Sequence, residues 1–218
     1  MFRHVPELAL PELNAEMTDL GRFYETPEGN KYPSITTILS AASDSSWRDE
    51  WIARVGKEEA DRVSMQATRR GTAVHEIAEF YLKNDPNYAR GHMPANIQSF
   101  KNIQPFLDKH VGLIAGLEIA LWSDTLRCAG RVDCIAKWDG IWSIIDFKTS
   151  KREKSRDDIH SYFMQESAYS MMFYERTGII PKQLVTVMTV DDGKSLVFVE
   201  KATEWLPKFV ELRKKVPF

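Results

Sequence analysis

The chain has 218 residues, 43% of them hydrophobic and 11% aromatic, with a formal net charge of −2. That is enough apolar material for one substantial core, and it lacks the basic excess of a protein that coats nucleic acid, so contact with a polyanion would fall to a local patch. Two cysteines, Cys128 and Cys134, exclude a four-cysteine zinc or iron–sulfur site within one chain; with no cleavable apolar leader and no run near the roughly 18 apolar residues of a membrane span, a cytoplasmic protein is expected.

Residues 1–30 are polar and proline-punctuated, with a turn signal at Thr26-Pro27-Glu28-Gly29, and read as an extended arm with little regular structure. Residues 31–218 read as one domain: a helical part over 40–110, a core over 111–200 and a closing helix over 203–214. Tyr32 to Leu39 begins β-branched and runs into a Ser/Asp-rich segment able to cap a helix. Helical spacing predicts helices over 46–63, 65–82 and 95–109, the second ended by Asn84-Asp85-Pro86. Strands follow over 113–122, 126–137 and 141–149, then a helix over 158–177 and strands over 182–190 and 194–200. The class is α/β or α+β, with a central mixed sheet flanked by helices.

Gly130-Arg131-Val132-Asp133 and Ile145-Asp146-Phe147-Lys148 flank the strongest turn signal in the chain, Asp139-Gly140. A type I′ turn needs positive φ at both central residues, and Asp-Gly supplies it. Trp138 then pairs with Ile141, and counting back places Asp133 opposite Asp146 and Arg131 opposite Lys148. Residues opposite each other share a face with Cβ atoms about 5 Å apart, so the two carboxylates would repel unless a divalent cation lay between them. Alternation puts Lys148 on the face of Asp146, where it would orient or help deprotonate a water and offset phosphate charge. Ordinary surface charges are disfavoured because Val132, Cys134, Ile135, Ile144, Ile145 and Phe147 make both strands apolar on both faces.

His75, in Gly71-Thr72-Ala73-Val74-His75, lies on a strongly helical stretch, where a histidine is more often a hydrogen-bonding residue than a ligand. If Asp124-Thr125 forms a turn, Glu118 pairs with Arg131 and lies diagonal to Asp133, as ion-pair partner or as metal ligand. Gln165 and Tyr169 share a helix face one turn apart, able to hold a water, a phosphate oxygen or a base. Lys151, Arg152, Lys154 and Arg156 form a basic run, either a solvated loop or a neutraliser of incoming phosphates.

In this order and spacing, Gly71 to His75, Gly130 to Asp133, Asp146 to Lys148 and Gln165 to Tyr169 resemble the PD-(D/E)xK nuclease superfamily, in its RecB-like branch. Tyr32-Pro33-Ser34-Ile35-Thr36 is similar to an element of the mitochondrial genome maintenance exonuclease group and its phage-type relatives. The resemblance implies a restriction-endonuclease-like core and an exonuclease acting on ends of single-stranded DNA in replication, recombination or repair, with one or two Mg²⁺ or Mn²⁺ ions. It assigns His75, Asp133 and Asp146 as metal ligands, with the Phe147 carbonyl and Glu118 as further ones, and Lys148 as the catalytic lysine. Gln165 and Tyr169 would support the site or the DNA, Ser34 and Thr36 would line the strand path, and Arg131, Lys151 and Arg152 would contact DNA. No iron–sulfur cluster is expected, which favours the mitochondrial and phage types, and a bacterial or phage-infected cytoplasm is the expected setting. The competing readings are a structure-specific endonuclease, an inactive nucleic-acid-binding module and a metal-dependent phosphatase.

Overall fold

The computed structural model describes residues 1–6, 8, 10–44 and 46–218. In chain order it has β1 (Arg3–His4), β2 (Asn14–Thr18), β3 (Gly21–Glu25), β4 (Lys31–Pro33), α1 (Ile35–Ala42), α2 (Ser46–Val55), α3 (Lys57–Leu82) and α4 (Pro94–His110). Then come β5 (Val111–Ser123), β6 (Cys128–Trp138), β7 (Ile141–Ser150), a 3-10 turn (Arg156–Ile159), α5 (His160–Thr177), β8 (Gln183–Val190), β9 (Ser195–Lys201) and α6 (Ala202–Lys214).

A six-stranded sheet in the order β1-β5-β6-β7-β8-β9 carries the core. The pairs β5–β6 and β6–β7 are antiparallel, whereas β7 and β8 are parallel and joined by α5. A parallel pair requires such a crossover, and its strands are covered on both faces. Hence β8, Gln-Leu-Val-Thr-Val-Met-Thr-Val, is buried at seven of its eight positions and shows no polar side. One face packs Phe163, Met172, Phe173, Trp205 and Phe209 of α5 and α6, with Ile35 and Ile38 of α1. The other packs Val74, Ile77 and Leu82 of α3 with Phe100, Ile103 and Leu107 of α4. The expected mixed sheet flanked by helices is therefore present.

The N-terminal segment departs from expectation. Instead of an arm with little regular structure, it contributes β1, parallel to β5 through Arg3↔Leu113 and His4↔Ile114, and the first strands of a three-stranded antiparallel sheet, β2-β3-β4. The sequence hides these strands because β2 is exposed at all five positions and so lacks alternation. Tyr32 to Leu39 is β only as far as Pro33; Ser34 then caps α1, its Oγ accepting from the Thr37 amide at 3.0 Å. The expected helix over 46–63 ends sooner, since the chain breaks at Gly56, whose φ of 85° suits glycine. The β5–β6 connection takes four residues, 124–127, with Arg127 at φ 50°, rather than the expected two.

Replacing Ser34 by alanine is expected to lower stability by about 1 kcal/mol through loss of the cap. Urea unfolding should show a lower midpoint with an unchanged slope.

Candidate active site

The Asp139-Gly140 turn forms as the sequence predicts, with φ of 50° and 83°. The β6–β7 ladder keeps the expected register from Trp138↔Ile141 to Cys134↔Ile145. There it stops, one position short of Asp133 and Asp146. The Phe147 amide, no longer taken up by the ladder, donates to Asp133 Oδ2 at 2.9 Å. His75 reaches the same oxygen from α3, Nδ1 to Oδ2 3.3 Å, and the Phe147 ring meets the imidazole edge-on at 6.1 Å between centroids.

Strand geometry is disturbed around Asp133. Val132 packs with the α5 cluster and Cys134 with the α3–α4 cluster, whereas strict alternation would put them on one face. On the neighbouring strand, Leu117↔Cys134 and Ile119↔Val132 are paired, and Glu118 between them sits at φ 52°. A non-glycine residue in the left-handed region and a local break in pairing are devices that re-aim side chains at functional sites. The longer 124–127 loop shifts β5 by two positions, so Arg131 pairs with Ala120 and Glu118 falls level with Asp133. A shift of two preserves the face, and His75, Glu118 and Asp133 come together with one donor atom each within 4.8 Å of the others.

Asp146 stands slightly apart. It is 3% exposed, and its Oδ2 is contacted by the Lys148 ammonium, which also lies over the Tyr162 ring at 5.0 Å. Burial alone would push Lys148 down, but Asp146 and then Asp133 hold its pKa above the usual lysine value, so the group is charged. Burial raises Asp146, with Lys148 opposing. For Asp133 burial acts upward, but His75 and then Lys148 draw the carboxyl below its ordinary value. His75 is pulled down by burial and carried above its ordinary value by Asp133. Burial, and next Asp133, push Glu118 up to about 7.

The helix after β7 supports the strands from behind. Tyr169 is 4% exposed, its hydroxyl donates to the Arg131 carbonyl at 2.7 Å, and Gln165 lies beside that hydroxyl. Tyr169 is thus a positioning residue for β6 and presents no ring to a strand of DNA. The glycine of Gly130-Arg131-Val132-Asp133 has a reason in the same contact: a Cβ there would meet Tyr169 Oη at 2.8 Å. Ser34 is 3% exposed with its hydroxyl committed to Thr36 and Thr37, so it builds the cap and does not line an open path; Thr36 is exposed. Arg131 lines the cavity but is engaged by Glu12 and by the Glu118 carbonyl. Lys151 and Arg152 lie exposed beyond the end of β7 and are not among the residues lining that cavity.

Three residues escaped the sequence. Tyr162 covers Lys148, and Arg22 of β3 borders the cavity that holds His75, Glu118 and Asp133. Glu166 is wholly buried beside Asp146, accepts from the Thr186 hydroxyl with Oε1, and has no partner for Oε2 among the described residues. Helical spacing was the available signal for Glu166, which is three residues from both Phe163 and Tyr169 on the inward side of α5.

The chain is similar to proteins of known name. The chain is 26% identical over 132 residues to mitochondrial genome maintenance exonuclease 1 of Mus musculus, covering 57% of this chain and 39% of that protein. To mitochondrial genome maintenance exonuclease 1 of Homo sapiens it is 25% identical over 169 residues, covering 70% of this chain and 48% of that protein. The chain thus spans less than half the length of these relatives. No protein-family model matches it. A crystal structure of a candidate exonuclease from Eubacterium rectale superposes with a TM-score of 0.42 at 11% identity, covering 68% of this chain and 69% of that one, too loosely to carry fold or function.

Burial, then the Asp146 carboxylate, raise Glu166 well above the ordinary glutamate range. In the unfolded chain its pKa returns to about 4.3. Stability contributed by the neutral form is therefore complete below that value and is lost as pH rises towards the folded pKa. Glu166→Gln, neutral at every pH, is expected to melt about 2–5 °C above the native chain at pH 7.5 in chelator, the gap closing towards pH 4. A calorimetric scan at the two pH values checks this.

Proposed function

We propose that this protein is a divalent-metal-dependent deoxyribonuclease that hydrolyses phosphodiester bonds from the ends of single-stranded DNA. One observation carries the proposal: at the opened end of the β6–β7 hairpin, the His75–Glu118–Asp133 cluster meets the buried Asp146–Lys148 pair. The exonuclease relatives support the same activity, as does the succession of four motifs.

The donor set fits a hard divalent ion. It offers an imidazole nitrogen and two carboxylates, suited to Mg²⁺ or Mn²⁺, and Glu118 is pushed up to about 7 by burial and by Asp133 although His75 and Arg131 oppose them, so added positive charge would be favoured there. His75, Glu118 and Asp133 would hold the ion, with Asp146 and the Phe147 carbonyl as further donors. When bound, it supplies Lewis acidity and charge neutralisation at the scissile phosphate.

The chain's own groups do the remaining work. Lys148, held protonated by Asp146, presents an ammonium that donates to the attacking water or to a phosphate oxygen; in this state it is an electrostatic and orienting group, not a base. Tyr162 fixes its direction from one side. Phe147 holds Asp133 through its amide and His75 through its ring, so two site groups share one anchor. Gln165, half-buried next to Tyr169, is placed to hold a water or a phosphate oxygen. Lys151 and Arg152 offer charge to the strand beyond the site.

End-labelled linear single-stranded DNA should be degraded with Mg²⁺ or Mn²⁺ and spared with chelator, while circular single strands survive. Asp146→Ala and Lys148→Ala should each lower the rate at least about 100-fold with folding intact by circular dichroism. Full activity in both variants would defeat the assignment, and cutting of circles would favour an endonuclease.

Glu118 gives a pH dependence. Below about pH 7 its carboxyl carries a proton in the metal-free protein, which an incoming ion must displace. Mn²⁺ affinity should therefore climb with pH through about 7, the rise carried further by His75, whose proton Asp133 also holds. Calorimetry in buffers of different ionisation enthalpy should detect the released proton, and Glu118→Gln should release fewer.

A further inference from the structure

We infer that Arg22, on β3 of the small N-terminal sheet, is the residue that grips the phosphate of a nucleic-acid strand as it enters the metal-binding cavity; this rests on the nuclease activity proposed above. The cavity has a volume of about 650 Å³ and is bordered by Glu76, Glu79, Glu118 and Asp133, an acidic surround for a polyanionic substrate. A phosphate there needs fixed positive charge besides any bound ion. The cations at hand are mostly taken. Lys148 is bound to Asp146, Arg131 to Glu12 and the Glu118 carbonyl, and His75 to Asp133. Arg22 alone among the residues bordering the cavity has a guanidinium with neither ion pair nor hydrogen bond among the described residues.

Its backbone, by contrast, is held firmly. The Arg22 amide donates to Thr37 Oγ1 at 3.0 Å, and its carbonyl accepts from the Ser34 amide at 2.8 Å and from Thr37 Oγ1 at 3.2 Å. Gly21 permits this approach: its φ is 116°, and a Cβ there would stand 2.6 Å from Thr37 Oγ1. The Tyr32-Pro33-Ser34-Ile35-Thr36-Thr37 segment therefore fixes the point from which the Arg22 side chain springs. A second, open hollow of about 500 Å³, bordered by Met17, Leu20 and Thr36, also has Arg22 on its rim. Arg22 thus borders both that hollow and the metal cavity, and a strand entering the cavity from that side passes its guanidinium. The planar fork of arginine suits two oxygens of one phosphate.

The test uses the full chain in an Asp146→Asn background with Ca²⁺, titrating a fluorescein-labelled single-stranded oligodeoxynucleotide at several salt concentrations. Arg22→Gln should weaken binding about tenfold and reduce the slope of log K against log salt by about 0.7, the loss of one phosphate contact on a single strand. Arg22→Lys should keep the slope while recovering part of the affinity, and both variants should melt with the parent because only the exposed end of the side chain changes. Matching measurements with intact Asp146 should show the Arg22→Gln loss chiefly in KM. Unchanged affinity and slope in Arg22→Gln, with the parent binding and cleaving DNA, would overturn the role of Arg22 and leave the nuclease standing. A parent that neither binds nor cleaves would overturn both.

Discussion

One carboxylate oxygen, Asp133 Oδ2, organises the site. It replaces the ladder acceptor that the Phe147 amide has lost and at the same time faces the imidazole of His75. A buried amide without a partner costs roughly as much as several ordinary hydrogen bonds contribute, so the hairpin opens at this point only because a side chain takes over from the main chain. The opening separates Asp133 from strict alternation and lets α3 on one face and α5 on the other send groups to the same place.

Around that oxygen the sheet tolerates an unusual load of ionisable groups by giving each a different answer to burial. Asp133 is drawn below its ordinary pKa by His75, Asp146 is raised by burial against the adjacent ammonium of Lys148, and Glu166 is raised by burial and accepts from Thr186. These answers are interdependent, since an added cation near Asp133 changes the field felt by Asp146 and Lys148. Such a cluster of buried charges costs stability unless each charge is answered by a partner.

Much of this was legible in the sequence. Asp139-Gly140 dictated the turn, and continuous apolar runs dictated β7 and β8, because both signals are local. The pairing of Glu118 was misplaced by two positions because Asp124-Thr125-Leu126-Arg127 forms a four-residue loop with no glycine to mark it. The small N-terminal sheet was missed because its outer strand is exposed throughout and carries no period. Ser34 was recognised by motif but assigned to the strand path, and Tyr169 to support of the site or the DNA; burial, which a motif does not disclose, makes Ser34 the builder of a helix cap and leaves Tyr169 the support of a strand. Arg22 had no sequence signal at all, since its place at the cavity follows from a fold in which residues distant along the chain converge.

The contact between Tyr169 and the Cβ-less face of Gly130 makes two separate motifs into one steric unit. Neither position is free to vary alone: a larger residue at 130 demands that the phenol withdraw, and a withdrawn phenol surrenders its hold on the Arg131 carbonyl. Over evolutionary time the pair must therefore change together or not at all. A recombination event that exchanged the helix without the hairpin would carry half of a joint and leave the strand that bears Asp133 without its brace.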